Sequence, residues 1–170
     1  DRVLAALEAK YASELSAEQV ALNGDRFALA AYMDCTQHVG NSPQKRRSAR
    51  AAAEAAGAEH YELASMYFGA GYPSMRQAIE LDAIRAAIDG DGVQTERDWL
   101  IGSWIAGASV LLNAPGHTAQ FLRPNSVSAH SRIVRTWRRS MWDEFIGALD
   151  VVTQVGEESW RADNTVYVGD

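Results

Sequence analysis

A chain of 170 residues, 47% hydrophobic and 22% charged, can bury one sizeable core, so a single domain is expected. Its longest apolar run, Trp99 to Leu112, is interrupted by Gly102, Ser103, Gly107 and Ser109 and falls short of the roughly 18 unbroken residues a membrane helix needs. The start, DRVLAALEAK, has neither the basic flank nor the apolar stretch of a signal peptide, and the single Cys35 excludes an internal disulfide, so a reducing cytoplasm is the expected location.

Helical signals dominate from the first residues onward. Residues 2 to 22 are rich in Ala, Leu and Glu, with Ser16 placed to cap a helix ahead of Glu18 and Gln19, and Asn23-Gly24 placed to stop it. From Asp25 to about His38, Phe27, Ala28, Ala31 and Tyr32 recur at helical spacing until Gly40-Asn41-Ser42-Pro43 breaks the pattern. A short Ala-rich helix is expected over Ala51 to Ala58. Ser74 can cap a helix in which Leu81, Ile84 and Ile88 form one stripe, Arg76 and Glu80 pair at i, i+4, and Asp89-Gly90-Asp91-Gly92 ends the run.

Thr95 with Asp98 resembles a capping box, and Leu100, Ile101, Trp104, Ile105, Ala108, Leu111 and Leu112 then follow a 3.6-residue period, which predicts a deeply buried helix. A further long helix is expected from about Ser131 to Val155, with Val134, Trp137, Met141, Phe145, Leu149 and Val152 on one face. Arg132, Arg135 and Arg139 fall on a neighbouring face, solvated or held by a partner. Only Asn164 to Val168 reads as a strand, being β-branched and aromatic between Asn and Gly. The fold class expected is therefore mainly α, with a helical domain over residues 1–160 and a strand over 161–170.

The net charge of −6 opposes nucleic-acid binding, but its distribution does not. Between Trp99 and Trp142 there is no Asp or Glu, whereas Arg123, Arg132, Arg135, Arg138 and Arg139 give that window +5 and leave −11 on the rest. All five are Arg, whose planar fork suits phosphate oxygens and base edges. A second basic run, Gln44-Lys45-Arg46-Arg47-Ser48-Ala49-Arg50, reads as a loop entering a helix. Cys35-x-x-His38 has too few partners for a closed zinc site, so Cys35 is expected to be a small buried residue and no metal is expected. The Asp89 loop has Leu100 where a calcium hand requires Glu, and no phosphate loop, nucleophile elbow or zinc-protease motif occurs.

Two segments remain. Met66-Tyr67-Phe68-Gly69 is an aromatic loop followed by a helix with Arg and Asp on its polar side; packed aromatics beside a solvated helix face explain it without a ligand. Asn113-Ala114-Pro115-Gly116-His117-Thr118-Ala119-Gln120-Phe121-Leu122-Arg123-Pro124 reads either as a turn forced by Pro-Gly or as a loop that holds a ligand.

In order along the chain, Tyr67-Phe68-Gly69, Ile79-Glu80-Leu81-Asp82-Ala83-Ile84-Arg85, Trp99-Leu100-Ile101, Asn113 to Leu122, and Asn164-Thr165-Val166-Tyr167-Val168-Gly169-Asp170 resemble the middle of a Dam-type DNA adenine methyltransferase. In that family a Tyr-Phe motif precedes an Ile-Asp-Ala-Ile-Arg helix. A leucine-rich helix then ends in Asn-Thr-Ala-Gly-x-Tyr-Gly-Ala-Phe-Leu, and a Val-Tyr-x-Gly-Asp strand follows. The resemblance spans residues 66 to 170 and departs at Pro115 and at Thr118-Ala119-Gln120. The family's Phe-x-Gly-x-Gly loop for S-adenosylmethionine and its Asp-Pro-Pro-Tyr tetrapeptide are not in the sequence.

The resemblance implies an internal fragment of an S-adenosylmethionine-dependent, adenine-specific enzyme of a restriction-modification or phage-derived system, with no catalytic residue in this chain and no methyl transfer by it alone. It implies contacts to double-stranded DNA from Asn113, His117, Thr118, Gln120, Arg123, Arg132, Arg135 and Arg138. It also implies a cofactor contact at Asp170, after a strand that joins the α/β sheet of the full enzyme. Methylating adenine inside a duplex requires the base to be flipped out of the stack, at a cost of a few kcal/mol. A stand-alone helical DNA-binding or protein-interaction module without catalysis is the alternative, and a helical bundle with no ligand is the third.

Overall fold

The computed structural model describes residues 2–40, 62–90, 94–115 and 120–154, and within them the protein is mainly α. Eight helices are present among the described residues: α1 (Arg2–Lys10), α2 (Ala12–Asn23), α3 (Arg26–Gly40), α4 (Leu63–Tyr67), α5 (Met75–Gly90), α6 (Gln94–Leu111), α7 (Val127–Trp137) and α8 (Met141–Gln154). The expected helix over Ala51 to Ala58, the basic run 44–50, and the terminal strand with Asp170 lie outside the described residues.

Local signals act where they were expected. The α2 helix ends at Asn23, and the amide of Gly24 closes on the carbonyl of Ala21. Asp25 starts α3 by accepting from the amides of Phe27 and Ala28 at 3.0 and 2.9 Å. Ser74 starts α5: its hydroxyl accepts from the amide of Gln77 while the Gln77 side chain accepts from the amide of Ser74, a reciprocal capping box. The Arg76–Glu80 pair forms at 3.1 Å.

Several expectations are corrected. Residues 2 to 23 form two helices, not one capped by Ser16, which lies inside α2; the bonds Tyr11 N to Leu7 O and Leu15 N to Tyr11 O carry the ladder across a kink at Tyr11. The helix expected from Ser131 to Val155 is likewise two, separated at residues 138–140, because the side-chain amide of Gln77 takes the carbonyls of Thr136 and Arg139 at 2.8 and 2.9 Å. Apolar spacing runs through that break, so periodicity could not reveal it. Thr95 stands inside the first turn of α6, which begins at Gln94. Cys35 is exposed rather than buried, and so is Phe27, since α3 turns Leu29, Tyr32 and Met33 to the core.

The deeply buried helix is α5, not α6. Met75, Ala78, Ile79, Leu81, Ala83, Ile84, Ala86 and Ile88 are buried, and so are Gln77, Glu80 and Asp82. Helices α1, α2, α4, α6 and α8 all pack on it. One side meets Leu7 with Val3 and Leu4; another packs Leu81, Ile84 and Ile88 on Leu111 and Met141, with Leu100, Ile101, Trp104 and Phe145 around them. A third cluster joins α2, α3 and α7 through Ala21, Leu22, Leu29, Tyr32, Met33, Ile133 and Trp137. The α6 and α8 backbones approach so closely that a Cβ on Gly107 would lie 3.1 Å from the amide nitrogen of Phe145. The outer side of α6 remains at the surface with Trp99, Ile105 and Val110 exposed.

The polar groups of this core are caps for the ends of other helices. Glu18 of α2, 1% exposed, accepts from the amides of Met75 at 2.5 Å and Arg76 at 3.2 Å, and from the hydroxyl of Tyr32 at 3.1 Å. Glu80 accepts from the amide of Met141 at the start of α8, at 2.8 Å. Asp82 accepts from the amides of Ala64 and Ser65 and the hydroxyl of Ser65 at the start of α4, at 2.9, 2.8 and 2.6 Å. A helix N-terminus carries unsatisfied amides and positive partial charge, so each carboxylate answers both at once.

Candidate nucleic-acid interface

The candidate site grows from the end of α6. Past Leu111 the chain turns at Asn113, whose backbone amide donates to the carbonyl of Tyr72 and whose carbonyl accepts from Leu122, both at 2.9 Å. Its side-chain amide donates to the carbonyls of Gly71 at 3.3 Å and Leu122 at 3.0 Å, and the residue is buried. Asn113 thus bolts together three stretches: the turn 68–73, the end of α6, and residues 120–125. Aspartate or leucine at this position could not donate those two bonds.

From this junction the chain enters α7. Ser126 caps it by accepting from the amide of Ala129 at 3.1 Å. Ile133 and Trp137 then turn to the core while Ser128, Ser131, Arg132 and Arg135 turn to solvent. The indole of Trp137 donates to the carbonyl of Tyr72 at 3.3 Å, which fixes α7 against the same turn that Asn113 holds.

The arginines divide by what they touch. Arg135 is exposed, and no described residue bonds to it. Arg132 donates to the carbonyl of Ala114 at 3.3 Å, and Arg139 to that of Val110 at 3.2 Å as well as to Glu144 at 2.6 Å, so both sit at the negative C-terminal end of α6. Arg138 does the same for α2, reaching the carbonyl of Leu22 at 3.2 Å and the side chain of Asn23 at 3.1 Å. Arg123 pairs with Asp34 and lies over the ring of Phe121, 5.4 Å from its centroid. Part of the basic window thus holds helix ends in place, a role the sequence did not disclose. A guanidinium has five donors, so the one or two spent on a carbonyl leave others for a phosphate.

The site residues expected from the sequence fare differently. Asn113 is an internal bolt rather than a surface contact. Gln120 is exposed beside it, and His117, Thr118 and Asp170 lie outside the described residues. Arg123 and Arg132 flank the Asn113 junction, Arg135 follows one turn later on α7, and Arg138 sits further off at the end of α2. The aromatic segment is a short helix and a turn, not a loop, and its carboxylate neighbour Asp82 serves that helix. Burial pushes the Asp82 carboxyl up to about 6, against the opposing pull of its bonds to Ser65 and Ala64. Glu18 is raised by the same cause, and its burial with Glu18 beside it raises the hydroxyl of Tyr32.

No known family model matches this chain, and no curated protein or solved structure is significantly similar to it. Among the described residues no helix is long and apolar enough to cross a membrane, and no three His, Cys, Asp or Glu side chains converge as a metal site would require.

What the sequence reading missed is a row of rings. Phe68, Tyr72 and Phe121 meet edge to face, with centroids 6.3 and 5.4 Å apart. The turn that carries the first two includes Ala70, wholly buried and held at φ 61°, where a non-glycine residue is strained. The Gly69-Ala70-Gly71 stretch was the available signal, since glycines around one alanine mark a turn without showing which residue takes the left-handed conformation.

Proposed function

We propose that this chain is the DNA-facing helical part of an S-adenosylmethionine-dependent, adenine-specific DNA methyltransferase. The support is the resemblance together with one observation: the junction at Asn113. Its hydrogen bonds join Gly71 and Tyr72, in the turn that directly follows the Tyr67-Phe68-Gly69 motif, to Asn113 and Leu122 about forty residues later, and bring Arg132 beside them. An interior bolt of this kind sets the position of the α7 arginines relative to the turn that follows α4.

The part played by these residues is binding. Arg132 and Arg135 project from the outer side of one rigid helix, one turn apart, and meet successive phosphates; guanidinium groups on a helix lose less freedom on contact than groups on a loop. The described residues do not fit S-adenosylmethionine: the buried carboxylates Glu18, Glu80 and Asp82, which could have received its hydroxyls or amines, are all spent on helix ends. The reading therefore assigns the cofactor and the catalytic step to other parts of the enzyme.

Salt dependence tests the assignment. Each phosphate contact contributes about one unit to the slope of log affinity against log salt, so the double variant R132A/R135A should bind duplex DNA of any sequence more weakly and with a slope flatter by about two. R135A alone, which removes no side-chain bond among the described residues, should account for about one of those. An unchanged slope in both variants would overturn the phosphate assignment.

A further inference from the structure

The row Phe68–Tyr72–Phe121 is not explained by packing alone. Phe68 is 48% exposed although buried Ala70 and half-buried Tyr67 lie beside it in sequence. Leaving about half of such a ring in water forgoes about half of the roughly 1.5–3 kcal/mol its full burial would contribute. The ring is also held firmly. The amides of Phe68 and Gly69 both donate to the carbonyl of Ala64 at 2.9 and 3.0 Å, and the amide of Gly71 closes back on Phe68 at 3.3 Å. A Cβ on Gly69 would lie 3.1 Å from the sulfur of Met75 and from the carbonyl of Ser65, so the turn packs closely on α4 and the start of α5.

Charge lies at the far end of the row. The Arg123 guanidinium covers Phe121, and Asn113, which ties Gly71 and Tyr72 to Leu122, places Ala114 and its partner Arg132 next to the same junction. Asp34 pairs with Arg123, but Asp34 is exposed and Arg123 partly so, and such a surface pair is weak enough to yield to a phosphate.

An exposed ring on a rigid turn, continued by edge-on rings toward two guanidinium groups, is the pattern of a platform for single-stranded nucleic acid. Bases inside a duplex already stack on their neighbours and offer no free face. An unpaired base does. We propose that Phe68 stacks an unpaired nucleobase, with Arg123 and Arg132 taking the phosphates of the strand that carries it. The inference rests on the reading of the arginine side as DNA-facing and names what the neighbouring aromatic surface receives.

The experiment uses a DNA duplex bearing one bulged 2-aminopurine and the same duplex fully paired. The protein should bind the bulged duplex more tightly, by about tenfold for one stacked base, and quench its fluorescence. Phe68→Leu, which keeps an apolar side chain but no aromatic face, should abolish both the preference and the quenching, whereas Phe68→Tyr should keep them; circular dichroism establishes that each variant is folded. Equal affinity of the wild type for the two duplexes, or quenching by Phe68→Leu equal to wild type, would overturn the proposal. The paired duplex separates the two readings: if R132A/R135A weakens its binding while Phe68→Leu leaves the bulge preference intact, the platform fails and the arginine assignment stands.

Discussion

Replacing Glu18 by Ala should lower the free energy of unfolding by about 3–5 kcal/mol, a large share of the roughly 5–15 kcal/mol that holds an ordinary domain together. Glu18 is 1% exposed and receives three donors: the amides of Met75 and Arg76 and the hydroxyl of Tyr32. Alanine leaves the two amides without a partner and takes from Tyr32 its carboxylate acceptor, in an interior where each unsatisfied donor costs about 1–3 kcal/mol. The damage is not confined to α2, because those amides open α5, on which five other helices pack. Urea denaturation measures it directly. Tyr32→Phe removes one donor of the set and should cost about 1 kcal/mol; the two substitutions together should cost less than their sum, since they break a shared bond.

Asp82 should make the protein less stable as pH rises through the weakly acidic range. Its carboxyl titrates at about 6 in the folded protein against an ordinary 3.8, chiefly because burial disfavours the charged form. The folded state therefore holds a proton that the unfolded state has released. The stability this contributes is complete below the ordinary value and is lost as pH rises through about 6, by about 3 kcal/mol in all at 1.36 kcal/mol per unit. Glu18, also raised by burial, acts in the same direction. Asp89, held low by Arg85 and Arg97, acts in the opposite one and loses its contribution as pH falls. Unfolding midpoints in urea between pH 4 and pH 7.5 should fall in wild type, and Asp82→Asn should flatten that decline while lowering stability at pH 4, since its amide places a donor against the amides that open α4. A wild-type profile flat across this range would contradict the account of Asp82.

The local features were legible in the sequence because their partners are near in the chain. Asp25, Ser74 and the Arg76–Glu80 pair each act within four residues, and the Asn23-Gly24 stop and the stripe Leu81, Ile84, Ile88 follow from propensity and period. The central position of α5 was not legible. Gln77, Glu80 and Asp82 look like a solvated face, and only distant partners, the carbonyls ending α7 and the amides opening α8 and α4, turn that face inward. Conversely, the apolar period of α6 predicted deep burial, yet Trp99, Ile105 and Val110 remain outside because α5 and α8 cover one side of it. Composition alone exposed the arginine window. That Arg138 serves α2, more than a hundred residues earlier, required the fold.

Asn113 changes standing in the same way. As a sequence it belongs to a polar loop and invites a ligand; in the fold its donors are spent on Gly71 and Leu122, and the surface roles pass to Arg132, Arg135 and the ring of Phe68. These rigidly mounted groups, not the Asn113 side chain, are where DNA contact is proposed.

Methyl transfer is the most direct test of the central claim. The complete gene product carrying these residues should be incubated with duplex DNA and S-adenosylmethionine labelled in the transferable methyl group, and the digested nucleosides separated. The account predicts label in N6-methyladenine, diminished when Arg132 and Arg135 are both replaced by Ala, with the loss recovered at low salt. Absence of labelled N6-methyladenine from that complete product would contradict it.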